Sequence, residues 1–361
     1  MIKLKKIFLF LLILIPVNIK AISARSAILM DIDSNRILYA NNIHEVRTVA
    51  SISKIMTIIT SLENADIKKK VIIGDEIKDA YGSGIYIKEG EEMLLEDLLY
   101  GLMLRSGNDA ALSIAKATSN SVENFVNEMN KKAKEIGLIE STFTNPTGLD
   151  EVKGNLSSAY DMAVLTSYAY KNDTFKKIIG TKTYKLNTNK NNYIWNNKHK
   201  LLGKYKYATG GKTGYTKKAK RTLVTTAEKN DLRLVVVTLD DGNDWQDHTD
   251  LFEYGFNNYE SYEIVKKGTI NIYDDIYYKD YDLYVEDSFR YPLTKEENKN
   301  IYLKYELNKN RIIENNAKVG EVKIFVMNEQ IGKLDIFVKE KEEELKKSNF
   351  TKLIEWIKHL W

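Results

Sequence analysis

Cysteine is missing from all 361 residues. Its absence excludes disulfides, thiol nucleophiles and cysteine-based metal sites together. Histidine is scarce: His44, His199, His248 and His359 are scattered without metal-ligand spacing. Charge of one sign is not in excess either, with a net of +4. Nothing in that balance calls for nucleic acid as a partner. There is no dinucleotide or P-loop signature and no internal repeat. Catalysis must therefore draw on serine, lysine, carboxylates or tyrosine, with no metal and no organic cofactor expected.

What is present begins at the amino end. Met1 to Lys6 is basic, Ile7 to Val17 is almost uninterrupted apolar, and Ala21 or Ala24 offers a small residue for cleavage. This is the layout of a secretory signal peptide, taken as residues 1–24. Its apolar core falls short of the ~20 residues of a spanning helix. Export without cysteine points to the outer face of a bacterial cytoplasmic membrane. The remaining composition, 43% hydrophobic and 29% charged overall, is that of a globular chain with two or three domains.

Ser26–Asp31 and Arg36–Ala40 flank a polar turn and predict a β-hairpin. A helix is expected from Ser51, with Ile52, Ile55, Met56, Ile59 and Leu62 at helical spacing. Short strands are expected at Val71–Gly74 and Gly84–Ile87. Helices follow over Leu94–Leu104, Asp109–Ala117, Val122–Ile136 and Ser158–Tyr170, the last capped by Ser157 or Ser158. A second hairpin spans Arg221–Ala227 and Leu232–Leu239, followed by a helix over Asp247–Phe256. The fold class expected is α+β: an antiparallel sheet with helices packed on it and a helical middle.

Short alternating strands at Ile270–Tyr273, Asp282–Val285, Ile301–Tyr305 and Val322–Val326 imply a small all-β domain. The expected division is 25–261 for the catalytic domain, 262–338 for the β domain and 339–361 for a charged spacer with a terminal helix. That helix carries Phe350, Leu353, Ile354, Ile357, Leu360 and Trp361 at helical spacing, with lysines elsewhere around it. Such a helix suits attachment to a membrane surface.

Chemistry is carried by Ser51 and Lys54, three residues apart at a helix start and so on one face. A lysine kept neutral there can act as base to a serine nucleophile. The spacing alone is weak evidence, since Ser113 and Lys116 repeat it mid-helix, where Lys116 is a solvated side chain. The strength lies in the order: Ser51–Lys54, then Ser106-Gly107-Asn108, then Lys212-Thr213-Gly214 near the start of a strand.

With these three motifs the chain resembles the serine-type D-alanyl-D-alanine carboxypeptidases, the low-molecular-mass penicillin-binding proteins. The likeness runs from about Ser26 to Tyr259 and includes Leu104–Ala111, Phe143–Leu149 and Gly210–Thr216. Ala219–Val224 and Asp244–His248 look most like the branch associated with sporulation. The resemblance implies a β-lactamase/transpeptidase-like fold and hydrolysis of the terminal D-alanine from peptidoglycan stem pentapeptides. It also implies that β-lactams are covalent inhibitors.

The roles it implies are these. Ser51 is the nucleophile and Lys54 its general base, its charge disfavoured by Lys212. Ser106 relays a proton, and Asn108 binds the substrate amide. The backbone N–H groups of Ser51 and Tyr215 form the oxyanion hole. Gly214 leaves room for an extended peptide along the strand edge. Thr213 and a cation hold the terminal carboxylate. Related enzymes carry an arginine in the segment that here is Asp244-Trp245-Gln246, so Arg221 is the substitute expected. His44 and His248 are expected to be structural, and Asp109 to be a helix cap rather than an acid.

Two alternatives differ in consequence. A class A β-lactamase would need a deacylating glutamate between the second and third motifs. Glu306-Leu307-Asn308 matches in part but follows the third. A non-catalytic envelope scaffold would keep the fold without turnover.

Overall fold

The computed structural model describes residues 21–150, 154–272, 276–308 and 314–341. The expected signal segment up to residue 20 and the expected terminal helix lie outside the described residues. The chain divides into two compact units, Met1–Asn258 and Tyr259–Trp361.

The first unit is built on a five-stranded antiparallel sheet. The expected first hairpin forms, as β1 (Ser26–Asp31) and β2 (Ile37–Asn41). Leu232–Leu239 pairs with β1, Lys220–Lys229 pairs with it in turn, and Ala208–Thr216 closes the order as an edge. Successive strand residues point to opposite faces, and here both faces are covered. Ile28, Met30, Val235 and Val237 join the main helical core. Leu29 and Leu234 face the helix Asp244–Asn258, whose Gly255 lies against them: a Cβ there would stand 2.6 Å from Leu234 and 3.0 Å from Leu29. Double coverage explains why β1 is buried along its whole length rather than alternating.

The helical middle consists of α1 (Lys54–Asn64), α2 (Leu95–Arg105), α3 (Asn108–Ser119), α4 (Val122–Ile136), α5 (Ala159–Ala169) and α6 (Asp173–Gly180). Ser158 caps α5, accepting the Asp161 N–H. Gly84–Ile87, expected as a strand, is a loop instead. Tyr86 has a positive φ of 63°, and the N–H groups of Ile85 and Tyr86 donate to the Asp109 carboxylate, not to a strand. α6 and the hairpin of Thr183–Asn187 with Asn192–Asn196 add to the elements expected.

The second unit holds a five-stranded antiparallel sheet around Val285, Val322, Ile324, Ile336 and Val338. Glu260–Val265 pairs with Phe289–Leu293, so the division at Asn258 falls three residues before the one expected at 261. Among the described residues, no helix is long and apolar enough to cross a membrane.

One turn positions the site from below. Asn155 Oδ1 accepts the N–H groups of Thr144 and Asn145, and its Nδ2 donates to Ser53 Oγ and Asn145 O. Asn145 Oδ1 in turn holds the N–H groups of Thr147 and Gly148. Gly148 has φ 80°, and a Cβ there would lie 2.3 Å from the Ala50 carbonyl oxygen. Gly148→Ala should therefore combine left-handed strain with a backbone collision. We expect a melting temperature about 4–8 °C lower together with slower reaction at Ser51. Gly137→Ala is the control: φ is 86° but nothing lies within 4 Å of the added methyl. The control should lose less than half as much.

Candidate active site

Ser51 stands in a tight 3-10 turn, Ala50–Ser53, entered through Ala50 at a left-handed φ of 49°. The α-helix proper begins only at Lys54. A spacing of three suits this turn better than an α-helical one, because residues i and i+3 eclipse in a 3-10 helix. Lys54 Nζ is 3.2 Å from Ser51 Oγ. It donates to Asn108 Oδ1 at 2.7 Å and to the Thr147 carbonyl. One amine thus gathers the first motif, the second motif and the Asn145–Gly148 turn.

Lys54 is entirely buried. Burial is the largest cause pushing its pKa well below the ordinary lysine value; the charges of Lys212 and then Lys198 add to it, and Asp109 opposes. Lys212 was expected to be what keeps Lys54 neutral, but removal from water ranks first. A lone buried ammonium is far costlier than a buried amine.

The second motif is shaped by a change of direction. Ser106 ends α2 in a left-handed conformation with φ 64°, and Gly107 leads into α3. Asn108 Nδ2 donates to the Tyr81 carbonyl at 2.6 Å, so both ends of its amide are engaged within the protein. Asp109 is no free acid: it accepts the N–H groups of Ile85, Tyr86 and Ala110. Beside Asn108 and Thr147 opens a cavity of about 430 Å³, with Tyr81, Leu112, Val122 and Pro146 among its walls.

The third motif lies in the later half of the edge strand Ala208–Thr216, not at its start. Lys212 is 2% exposed and donates to the Thr213 carbonyl at 2.8 Å. Burial, then the charge of Lys198, lowers its pKa to about 7. Gly214 is small for a reason internal to the protein. A Cβ would stand 2.4 Å from Thr222 Oγ1 and 3.0 Å from Ser51 N, because the strand presses directly on the nucleophile turn. Thr222 Oγ1, from the neighbouring strand, donates to the Val49 carbonyl and fastens that contact.

Arg221 faces Tyr215 across the strand pair. Its guanidinium makes two bonds to the buried Asp244, at 2.7 and 2.8 Å, and lies over the Trp245 ring. His44 pairs with Glu140 at 3.0 Å, while His248 is buried between Thr225 and Thr238. Lys198 was not anticipated. It is solvent-exposed, its pKa is lowered by partial loss of solvent around the amine and then by the charge of Arg105, and its Nζ donates to Ser83 Oγ. No motif flags it, since its placement depends on the Lys198 N–H bond to the Leu104 carbonyl. Among the described residues, no group of three His, Asp or Glu side chains could hold a metal ion.

The lowered pKa of Lys212 has a consequence for stability. From about 7 up to the ordinary lysine value near 10.4, the unfolded chain binds a proton at this position that the folded chain does not. Stability from this group therefore rises with pH across that window, and is lost as pH falls toward 7. Urea unfolding of wild type and Lys212→Met between pH 6 and 10 checks this. The variant's advantage should be greatest near pH 7 or below and shrink steadily above it.

The comparisons with known proteins agree with the motifs. A family model described as D-alanyl-D-alanine carboxypeptidase matches residues 15–243. A second, described as penicillin-binding protein 5, C-terminal domain, matches residues 259–344. The D-alanyl-D-alanine carboxypeptidase DacF of Bacillus subtilis is 36% identical over 254 residues, 68% of this chain and 65% of that protein. The chain thus spans just under two thirds of that relative. DacD of Escherichia coli K12, with the same description, is 29% identical over 365 residues, 94% of this chain and 91% of that protein. The crystal structure of penicillin-binding protein 5 from Haemophilus influenzae superposes with a TM-score of 0.76 at 26% identity, covering 90% of this chain and 98% of that one. With two of the motifs meeting at one buried amine, the third pressed against the Ser51 turn, and a family model spanning most of the first unit, the chain belongs to the D-alanyl-D-alanine carboxypeptidase family.

Proposed function

We propose that this chain is an exported serine-type carboxypeptidase that removes the terminal D-alanine from peptidoglycan stem pentapeptides. The observation that carries the reading is the surroundings of Lys54 Nζ. A neutral amine has two hydrogens and one lone pair. Asn108 Oδ1 and the Thr147 carbonyl, which only accept, use both hydrogens. The lone pair is left for Ser51 Oγ, 3.2 Å away.

The steps then follow. Ser51 Oγ attacks the carbonyl of the penultimate D-alanine while its proton passes to Lys54. The oxyanion is held by the N–H groups of Ser51 and Tyr215. Ser106 passes its proton to the departing D-alanine nitrogen and takes one back from Lys54, the C–N bond breaks, and an ester remains on Ser51. Water attacks that ester and gives a proton to Lys54, the bond to Ser51 Oγ breaks as that proton returns to it, and the shortened peptide leaves as its carboxylate. Asn108 supports the substrate amide, by way of a rearrangement of its bond to Tyr81. The peptide lies along the unpaired edge of Ala208–Thr216, as an added strand would. Thr213 and Lys212 meet the terminal carboxylate. Arg221 would have to leave Asp244 to join them.

Attachment to the outer face of the membrane through the terminal helix, removal of the signal segment and a role in sporulation complete the reading. β-Lactams should acylate Ser51 and stay. A β-lactamase has less support: Glu306 belongs to the second unit, where it pairs with Lys304 and Lys323.

Mass spectrometry of products from a synthetic pentapeptide tests the reading. Tetrapeptide and free D-alanine are expected; a transferred product, or none, would sink it. Ser51→Ala should lower turnover by roughly 10³-fold or more and abolish labelling by fluorescent penicillin. Rapid release of hydrolysed penicillin would favour the lactamase instead. Lys212→Ala should slow acylation as well as weaken substrate binding; an unchanged acylation rate would remove Lys212 from the scheme.

A further inference from the structure

Asp241 and Asp247 are 1% and 3% exposed and have no part in the site above. They lie before and within the first turns of the helix Asp244–Asn258, and both converge on Ser23. The Ser23 N–H donates to Asp247 Oδ2 at 2.6 Å. Its hydroxyl oxygen is 2.7 Å from Asp241 Oδ1 and 2.8 Å from Asp247 Oδ2. Asn243 adds its N–H to Asp241 Oδ1 at 3.0 Å and its side-chain amide to Asp247 Oδ1 at 3.3 Å.

Donors are too few for this arrangement. A hydroxyl carries one proton and can serve only one of the two oxygens it touches. Asp241 Oδ2 is buried with no hydrogen-bond partner. No positive charge stands among the main influences on Asp241. Burial and the charge of Asp247 raise its pKa to about 6, against hydrogen bonding from Ser23, Asn243 and Thr238, all of them uncharged. Two buried carboxylates with too few donors between them and no counter-charge are costly unless a cation completes them.

We propose that Asp241 and Asp247 form the receptor for the α-ammonium of the processed chain, which begins at Ile22. The inference rests on the export reading above and adds the cleavage point to it. The nitrogen of Ile22 is one residue from the Ser23 nitrogen already bound to Asp247. Before processing it is a neutral amide with one hydrogen. An envelope leader peptidase would add water across the Ala21–Ile22 bond. The hydroxyl goes to the Ala21 carbonyl, the C–N bond breaks, and the nitrogen takes up protons to become an ammonium with three donors. Cleavage after Ala24, the other site the sequence offers, would remove Ser23 and with it three of the five contacts given above. It would leave the two carboxylates almost bare.

The test has two arms. N-terminal sequencing and intact mass of the exported protein should give Ile22 as the first residue; any other start, or a retained leader, overturns the proposal. Chain 22–361 is then melted with its α-amine free and with it acetylated. Acetylation should lower the melting temperature by about 2–4 °C in the wild type, with no such fall in Asp241→Asn or Asp247→Asn. Either variant suffices if the other does not fold. Equal melting of the free and blocked forms, or an equal fall in the variants, overturns the proposal even with the start at Ile22. Penicillin labelling of the same samples is independent: its absence would sink the hydrolase reading and leave the result on the terminus standing.

Discussion

The first unit is organised by one lysine amine shut away from water. Lys54 Nζ has no solvent to satisfy it, so its partners must come from the protein, and they come from three stretches far apart in sequence: Ser51, Asn108 and Thr147. Each stretch is fixed separately. The Ala50–Ser53 turn is held by Thr222 through Val49 and by Asn155 through Ser53. Asn108 is held by Tyr81 and Ser83, and the Thr147 turn by the Asn145 side chain. Loosening any of them would admit water, and water would return the proton to the amine. Burial and basicity are one property here.

That dependence changes the part given to Lys212. Like charges repel across a distance that the protein can adjust, whereas exclusion from water acts on the amine wherever other charges lie. Lys212 and Lys198 reinforce a neutrality that burial has already established. Lys212 itself, with a pKa lowered to about 7, stands near the point where an approaching carboxylate could draw it into the charged form.

Much of this was legible in the sequence, and the reason is local. Most helices with 3.6-residue periodicity and the hairpins with period two appear within a residue or two of their expected ends, while the helices expected from Ser51 and Asp247 start three residues later, at Lys54, and three earlier, at Asp244. The three motifs carry their own side chains to the cleft. What was not legible depends on partners distant in the chain. Gly84–Ile87 has the composition of a strand, yet its N–H groups are taken by Asp109, and no local rule anticipates that. Gly214 was expected to leave room for a ligand, and the closeness of Thr222 and Ser51 to any side chain there is a further reason that the motif does not reveal. Asn155 and Lys198 belong to no motif; their importance comes from what they touch. In the second unit, Glu260–Val265 and Phe289–Leu293 acquire meaning as strands only through each other.

The edge strand Ala208–Thr216 carries a hazard as well as an opportunity. An open strand edge is a template for any extended chain, including another copy of the same protein or an aggregating segment. Gly210, Gly211 and Gly214 make this one a poor template, since glycine resists ordering into a ladder and offers no side chain to pack. A binding partner must then bring its own means of being held, by a carboxylate or a reactive carbonyl, rather than rely on backbone pairing alone. Self-association is discouraged by these glycines, of which Gly214 also lets the strand lie flat against the Ser51 turn.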